Sequence, residues 1–312
     1  MIISASYKTD IPAFYGRWFL NRLAAGACRM VNPWGGQVYE ISLKPEDVTG
    51  FVLWTRNIRP LAPHLDRVTA VAPFTVQYTV TGYPRALETS TVEPGRAIDD
   101  LCGLSRDFGV RVAVWRYDPI LFSSLTPAAW HVDTFRRLAR ALAGSVDEVV
   151  VSFAHIYRKT RLNLDKAARA QGFHWHDPPD DEKRALAAEL AEIADAAKMT
   201  FRVCSQAALV PPGGALACCI DAARLSDVAG RPIDAAEKGN RPDCLCHQSR
   251  DIGAYDTCPH GCVYCYAVTA PALAKKRHAA HDPEGPFLFP PAAQASAAQA
   301  SAASRMPENI QR

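Results

Sequence analysis

The stretch Cys258-Pro-His-Gly-Cys262-Val-Tyr-Cys265-Tyr266 sets three cysteines at C-x3-C-x2-C spacing, with an aromatic residue directly before the last one. Three thiolates can hold three irons of a four-iron cluster and leave the fourth iron open to chemistry, whereas a fourth protein ligand closes a site. Structural zinc sites usually pair two C-x2-C knuckles, and the three-residue gap is unlike them. Gly261 lets the loop wrap tightly. The competing reading of the same residues is zinc, or a closed structural cluster, with His260 or a more distant side chain as the fourth ligand.

Upstream lie Cys244-Leu-Cys246, Cys204 and the pair Cys218-Cys219. Four thiolates drawn from these would close a second cluster. Zinc at the same positions, or two buried thiols plus an unrelated pair, are the alternatives. Cys28 and Cys102 fall in helical patterns and read as packing residues. Ten cysteines in a chain whose first residues, MIISASYKTD, carry neither a basic n-region nor a long apolar stretch predict a reducing, cytoplasmic setting with metal rather than disulfides. No window reaches the roughly 20 apolar residues that span a bilayer, which argues against a membrane partner.

The chain has 312 residues, 48% hydrophobic and 21% charged, with a formal net charge of +3. That is ample for a large core, and the modest charge argues against a dedicated nucleic-acid binder. The basic cluster Lys275-Lys276-Arg277-His278 reads as a solvated helix end.

Strand patterns recur at 2–6, 51–57, 74–81, 111–118, 148–154 and 200–204, each short and rich in Val, Ile, Phe, Trp or Thr. Helical patterns at 95–108, 131–143 and 181–199 alternate with them. Repeated βα units predict a parallel sheet with helices outside, hence a barrel or a doubly wound sheet. In the third strand Thr75, Gln77, Thr79 and Thr81 share one face, which fits either a ligand-holding interior or an edge strand with one wet side. Arg116 and Asp118 end the next strand on a common side, where Arg suits a carboxylate and Asp an amine or hydroxyl; a structural ion pair is the plainer reading. His174-Trp-His176-Asp177 reads as a polar loop before a helix, with Asp177 or Asp180 as its cap. From about Pro283 the composition turns to the low-complexity run AAQASAAQASAAS, predicting a disordered tail over 283–312.

With Tyr264 and Tyr266, the triad resembles that of radical S-adenosylmethionine (SAM) enzymes, most closely the spore photoproduct lyase-like branch. Thr9-Asp10, Trp54-Thr55-Arg56-Asn57, Thr79-Val-Thr81, Leu87-Glu88 with Glu93-Pro94-Gly95-Arg96, and 112–119 are similar to that branch's later strands. They come in shifted order, because such enzymes carry the triad near the start. The resemblance therefore implies a circularly permuted α/β partial TIM barrel: a (β/α) barrel over 1–240, and a cysteine-rich segment over 241–280 that completes it. Its strand, 251–256, would pair beside 2–6. Ile2–Tyr15 and Asp251–Ala267 are also similar to the family of domain of unknown function eighteen-forty-eight. That family has a Cys-Ile-Asp segment like Cys219-Ile-Asp221, and this selects Cys219 over Cys218. The implied second ligand set is then Cys204, Cys219, Cys244 and Cys246. Tyr7-Lys8 departs from the family's Arg-Arg.

What the resemblance implies is a [4Fe-4S] cluster on Cys258, Cys262 and Cys265 with SAM on the open iron, and a 5′-deoxyadenosyl radical that takes a hydrogen atom from a small-molecule or macromolecular substrate. It further implies an auxiliary iron–sulfur cluster and a reductant such as flavodoxin or ferredoxin. Tyr264, Thr79, Thr81 and Asp10 are the cofactor-binding candidates, and Arg116 and Asp118 the catalytic ones. Two other readings stand beside it: a non-catalytic zinc or iron–sulfur module, and a lyase repairing nucleic-acid lesions, to which the charge lends little support.

Overall fold

The computed structural model describes residues 1–32 and 35–291. The chain opens with β1 (Ile2–Ala5), α1 (Ile11–Phe14), α2 (Gly16–Ala25) and a hairpin of β2 (Ala27–Val31) and β3 (Val38–Ser42). There follow β4 (Gly50–Thr55), α3 (Leu65–Thr69), β5 (Phe74–Thr79), α4 (Pro94–Phe108), β6 (Ala113–Ile120), α5 (Ala128–Leu142) and β7 (Glu148–Phe153). The last part holds α6 (Arg158–Gln171), α7 (Asp180–Ala196), β8 (Thr200–Val203), β9 (Ala215–Leu216), α8 (Ala222–Ala229), β10 (Ser249–Asp251) and α9 (Pro271–Ala279).

Eight strands form one sheet in the order β10-β1-β4-β5-β6-β7-β8-β9, and its pairings are parallel. The sequence explains this. Glu-Val-Val-Val-Ser-Phe in β7 is buried at every position, the mark of a strand covered on both faces, which parallel sheets require. The connections carry the helices that cover one face. There Leu101 and Leu104 of α4, Phe135 and Leu138 of α5 and Leu190 of α7 pack with Ile3, Leu53, Val76, Trp115 and Val151. The other face holds Ile2, Val52, Val114 and Val150, closed by Leu225 of α8 together with Cys204, Cys219 and Cys246. Gly50 is tight against α8, where a Cβ would meet the Leu225 methyls at 2.9 Å.

The last strand lies beside the first, with Ile2 opposite Ser249 and Ser4 opposite Asp251. This is the pairing expected of the C-terminal strand, but displaced toward the N-terminus: the strand ends at Asp251, and only Ile252 N–H continues the ladder, to Ser4 O at 3.0 Å. β5 lies between β4 and β6, so Thr75 and Gln77 are on an interior face and the edge-strand reading is set aside.

Other expectations are corrected. Cys28 sits on strand β2, not a helix, because Ala27–Val31 pairs antiparallel with Val38–Ser42. Asp177 does not cap α7; it pairs with Lys183 at 2.7 Å, and Pro179 occupies the cap position. The tail expected over 283–312 does not include 283–291. Trp18 Nε1 donates to Gly285 O at 3.0 Å and Arg29 N to Pro286 O at 2.8 Å, while Phe287 and Leu288 are buried. Those two apolar side chains anchor the segment. The run from residue 292 to 312 lies outside the described residues. Among the described residues, no helix is long and apolar enough to cross a membrane.

Candidate metal centre

The loop of Cys258, Cys262 and Cys265 leaves the carboxyl end of β10, the end at which open parallel sheets place their sites. Its base is Asp251. That carboxylate accepts from Ser4 Oγ and Ser6 Oγ at 2.8 Å each, from Gly253 N at 3.0 Å and from Tyr7 N at 3.1 Å, and it pairs with Lys8 Nζ at 3.3 Å. Gly253 is required here, since a Cβ would collide with Ser6 Oγ. The loop is then pinned to residues 87–90: Val263 N donates to Leu87 O at 3.0 Å and Ser90 N to His260 O at 2.9 Å. Gly261, at φ +72°, turns the chain in the left-handed region and leaves room for Thr89 Oγ1.

The three triad cysteines are half-buried and free of disulfides. Burial, then the nearby Asp10, pushes the Cys258 thiol up to about 12. Burial also raises Cys262, against the pull of Arg56, and Cys265. Backbone N–H groups of His260 and Asp10 face the Cys258 sulfur, and those of Ala267 (3.3 Å) and Val268 face Cys265. Such donors stabilise negative charge on sulfur.

Two acids brace the loop from below. Asp10, N-cap of α1, accepts from Ala13 N at 2.9 Å, Thr55 Oγ1 at 2.7 Å and Arg56 N at 2.7 Å, and faces His260 Nε2 at 2.8 Å. His260 Nδ1 is turned to Ser90 O at 3.4 Å. Glu88 Oε1 takes Arg56 Nη1 and Thr81 Oγ1 at 2.7 Å each and the Tyr264 hydroxyl, which also receives Arg56 Nη2 at 2.7 Å. Thr79 and Thr81 line a cleft of about 190 Å³ with Arg56 and Glu88.

The second cysteine group assembles around Cys219. Its sulfur lies 3.6 Å from Cys204 Sγ, and Cys246 makes side-chain hydrogen bonds to both Cys219 and Cys244. Cys244, first through that bond from Cys246 and then through backbone N–H donors, is held down to about 5, whereas Cys219 and Cys246 rise to about 11. Cys218, the neighbour, points elsewhere: its sulfur contacts Leu245 O at 3.0 Å and Ile220 O at 3.1 Å. The structure thus brings Cys204, Cys219, Cys244 and Cys246 together and leaves Cys218 out.

Arg116 belongs to this second group. Its guanidinium donates to Cys219 Sγ at 3.0 Å, Gln77 Oε1 at 3.1 Å and Asp118 Oδ2 at 3.1 Å from Nε, and lies 5.1 Å from the Trp54 ring centre. Asp118, itself bonded by Ser152 Oγ, is held below the usual carboxylate range by Arg116 despite its burial. Arg241 Nη2 reaches Cys204 Sγ at 3.4 Å. A continuous path joins the two groups: Asp251 to Ser4, Ser4 to Trp54 Nε1 (3.1 Å), the Trp54 ring to Arg116, and Arg116 to Cys219.

Sequence reasoning missed Asp251, His260 and Glu88 as bracing groups and Arg241 as a sulfur contact. Trp54 and Arg56 stood in a segment already singled out, and Gln77 in the polar face of β5. Arg241 sits in an irregular Gly-Asn-Arg-Pro-Asp loop that carries no periodic signal.

No curated protein matches the chain. The family model described as a domain of unknown function, DUF1848, matches residues 2–267, and the chain belongs to that family.

Proposed function

We propose that this member of the DUF1848 family is a radical SAM enzyme on a permuted partial barrel, with a [4Fe-4S] cluster on Cys258, Cys262 and Cys265 and a second iron–sulfur cluster on Cys204, Cys219, Cys244 and Cys246. The observation that carries it is the engagement of His260. The one other classical metal ligand inside the triad loop is held by Asp10 at Nε2, and its Nδ1 is turned to Ser90 O at 3.4 Å, which leaves three thiols as the loop's ligand set. A three-thiol set suits a cluster with one open iron. The donor chemistry fits as well, with backbone N–H groups aimed at two of the three sulfurs.

When bound with SAM, such a cluster supplies one electron for cleavage to methionine and a 5′-deoxyadenosyl radical that abstracts hydrogen. The chain's own groups would position and enclose that chemistry. Asp10 and Glu88 fix the loop from below, and Tyr264 buries its ring beside Leu87 and Tyr83. Thr79 and Thr81 border the cleft, and Arg116 with Asp118 orders the polar interior between the two cysteine groups. A flavodoxin- or ferredoxin-class reductant would deliver the electron.

The test is anaerobic reconstitution with iron and sulfide, followed by dithionite and SAM. Formation of 5′-deoxyadenosine, lost in Cys258→Ala together with part of the iron, is expected. Zinc in place of iron, with no visible charge-transfer absorbance, would instead establish a non-catalytic zinc module.

A further inference from the structure

We infer that Cys218, Asp221 and His247 form a separate site for a divalent ion of the zinc class, on the outer side of the second cysteine group. Among the described residues these three are the group of cysteine, histidine and acid side chains whose ligand atoms all lie within 4.8 Å of one another.

The site arises from the way two chain segments are paired. Residues 218–219 precede α8, and residues 246–247 precede β10. They run together through His247 N to Ile220 O at 2.9 Å. Each segment sends one residue inward, Cys219 and Cys246, to the buried group already described. The adjacent residue of each, Cys218 and His247, is half-buried, and the two meet on the opposite side with Sγ 3.3 Å from Nδ1. Asp221 joins them from the N-cap of α8. Its Oδ1 accepts from Ala223 N at 2.8 Å and Arg224 N at 3.1 Å, and among the described residues Oδ2 has no hydrogen-bond partner.

The atoms gathered here are nearly all acceptors. The Cys218 sulfur has one proton to give and faces Leu245 O, Ile220 O and His247 Nδ1. Nδ1 itself lies 3.1 Å from Ile220 O and has a single backbone donor, Ala222 N, at 3.3 Å. A carboxylate oxygen is added on top. One cation would bind sulfur, imidazole and carboxylate together. The mixture of one thiolate, one imidazole and one carboxylate is a borderline donor set, which zinc accepts and magnesium or calcium does not. Three protein ligands leave a fourth position for water. The ion would also tie the segment before β10 to α8 and so hold Cys219 and Cys246 in register. This inference does not depend on what the inner cysteines bind.

Zinc content and cobalt(II) spectra of the full-length chain test it, with zinc alone and cobalt alone as probes. The wild-type chain should bind one more zinc than Cys218→Ser or His247→Gln. Its cobalt form should show a tetrahedral spectrum whose thiolate-to-metal band falls by the share of one site in Cys218→Ser. Asp221→Asn keeps a good helix cap, so its weaker zinc binding, by roughly tenfold or more, would report the lost ligand and not a frayed helix. Iron content should be the same in the wild type and Cys218→Ser, and Cys258→Ala should lose iron while keeping this zinc. Equal zinc in the wild type, Cys218→Ser and His247→Gln would overturn the inference, as would a cobalt spectrum insensitive to Cys218. Because the two substitutions are independent, misfolding of either one leaves the other to decide.

Discussion

Asp10 Oδ2 and His260 Nε2 lie 2.8 Å apart, both buried, across a separation of 250 residues. The contact ties the first helix to the triad loop. His260→Ala leaves Oδ2 with only the Arg56 N–H, and an under-satisfied buried acceptor costs about 1–3 kcal/mol. Urea unfolding should show a loss of that size, and reconstituted protein should hold less iron. A midpoint unchanged from wild type would show that the contact does not brace the loop.

Glu88 is the counter-ion of Arg56 and also takes Thr81 and Tyr264. Glu88→Gln strands a buried guanidinium, which typically costs about 3–5 kcal/mol. Thr81→Val removes one hydroxyl and should cost about 1 kcal/mol. Denaturant melts of the two variants should therefore differ severalfold, and equal losses would refute the assignment of Glu88 as the hub.

Cys219 and Cys218 are chain neighbours with opposite orientations. Cys219→Ser should lower the iron bound after reconstitution by the share of the proposed second cluster, with Cys218→Ser unchanged. Iron analysis with the reverse pattern would exchange their roles.

His131 is fully buried between the Tyr117 hydroxyl (2.8 Å from Nδ1) and Leu121 O (3.1 Å from Nε2). Burial lowers its pKa to about 4 from the ordinary 6.5. As pH falls below 6.5 the unfolded chain takes up a proton that the folded chain refuses until about pH 4. The neutral form's contribution to stability is thus full above pH 6.5 and is lost on acidification through that window, by roughly 3 kcal/mol in all. His131→Gln should flatten this part of the stability-versus-pH curve. A slope identical to wild type would remove His131 as the source.

The parallel sheet was legible because buried strands such as Val149-Val150-Val151 leave an unbroken apolar run, and because Pro94 marks the start of α4. The hairpin 27–42 was not, since Ala27-Cys28-Arg29-Met30 suits a helix as well as a strand and only its partner decides. Helix α6 was missed because Arg158-Lys159-Thr160-Arg161 hides a narrow apolar stripe among cations. The triad declared itself by spacing, but the acids beneath it could not, since Asp10, Glu88 and Asp251 gain meaning only from partners far away in sequence.

The pairing of β10 with β1 also sets a timetable. Ser4 and its partner Asp251 are separated by 247 residues, so a ribosome working at about 5–20 residues per second needs roughly 10–50 s to supply the second after the first. Throughout that interval β1 presents an open parallel edge, the kind of surface that recruits the wrong neighbour. The triad loop emerges just behind β10, so the edge is sealed and the three thiols are delivered in one late event. Any cellular factor that recognises the triad loop would meet a nascent chain whose sheet is already almost built.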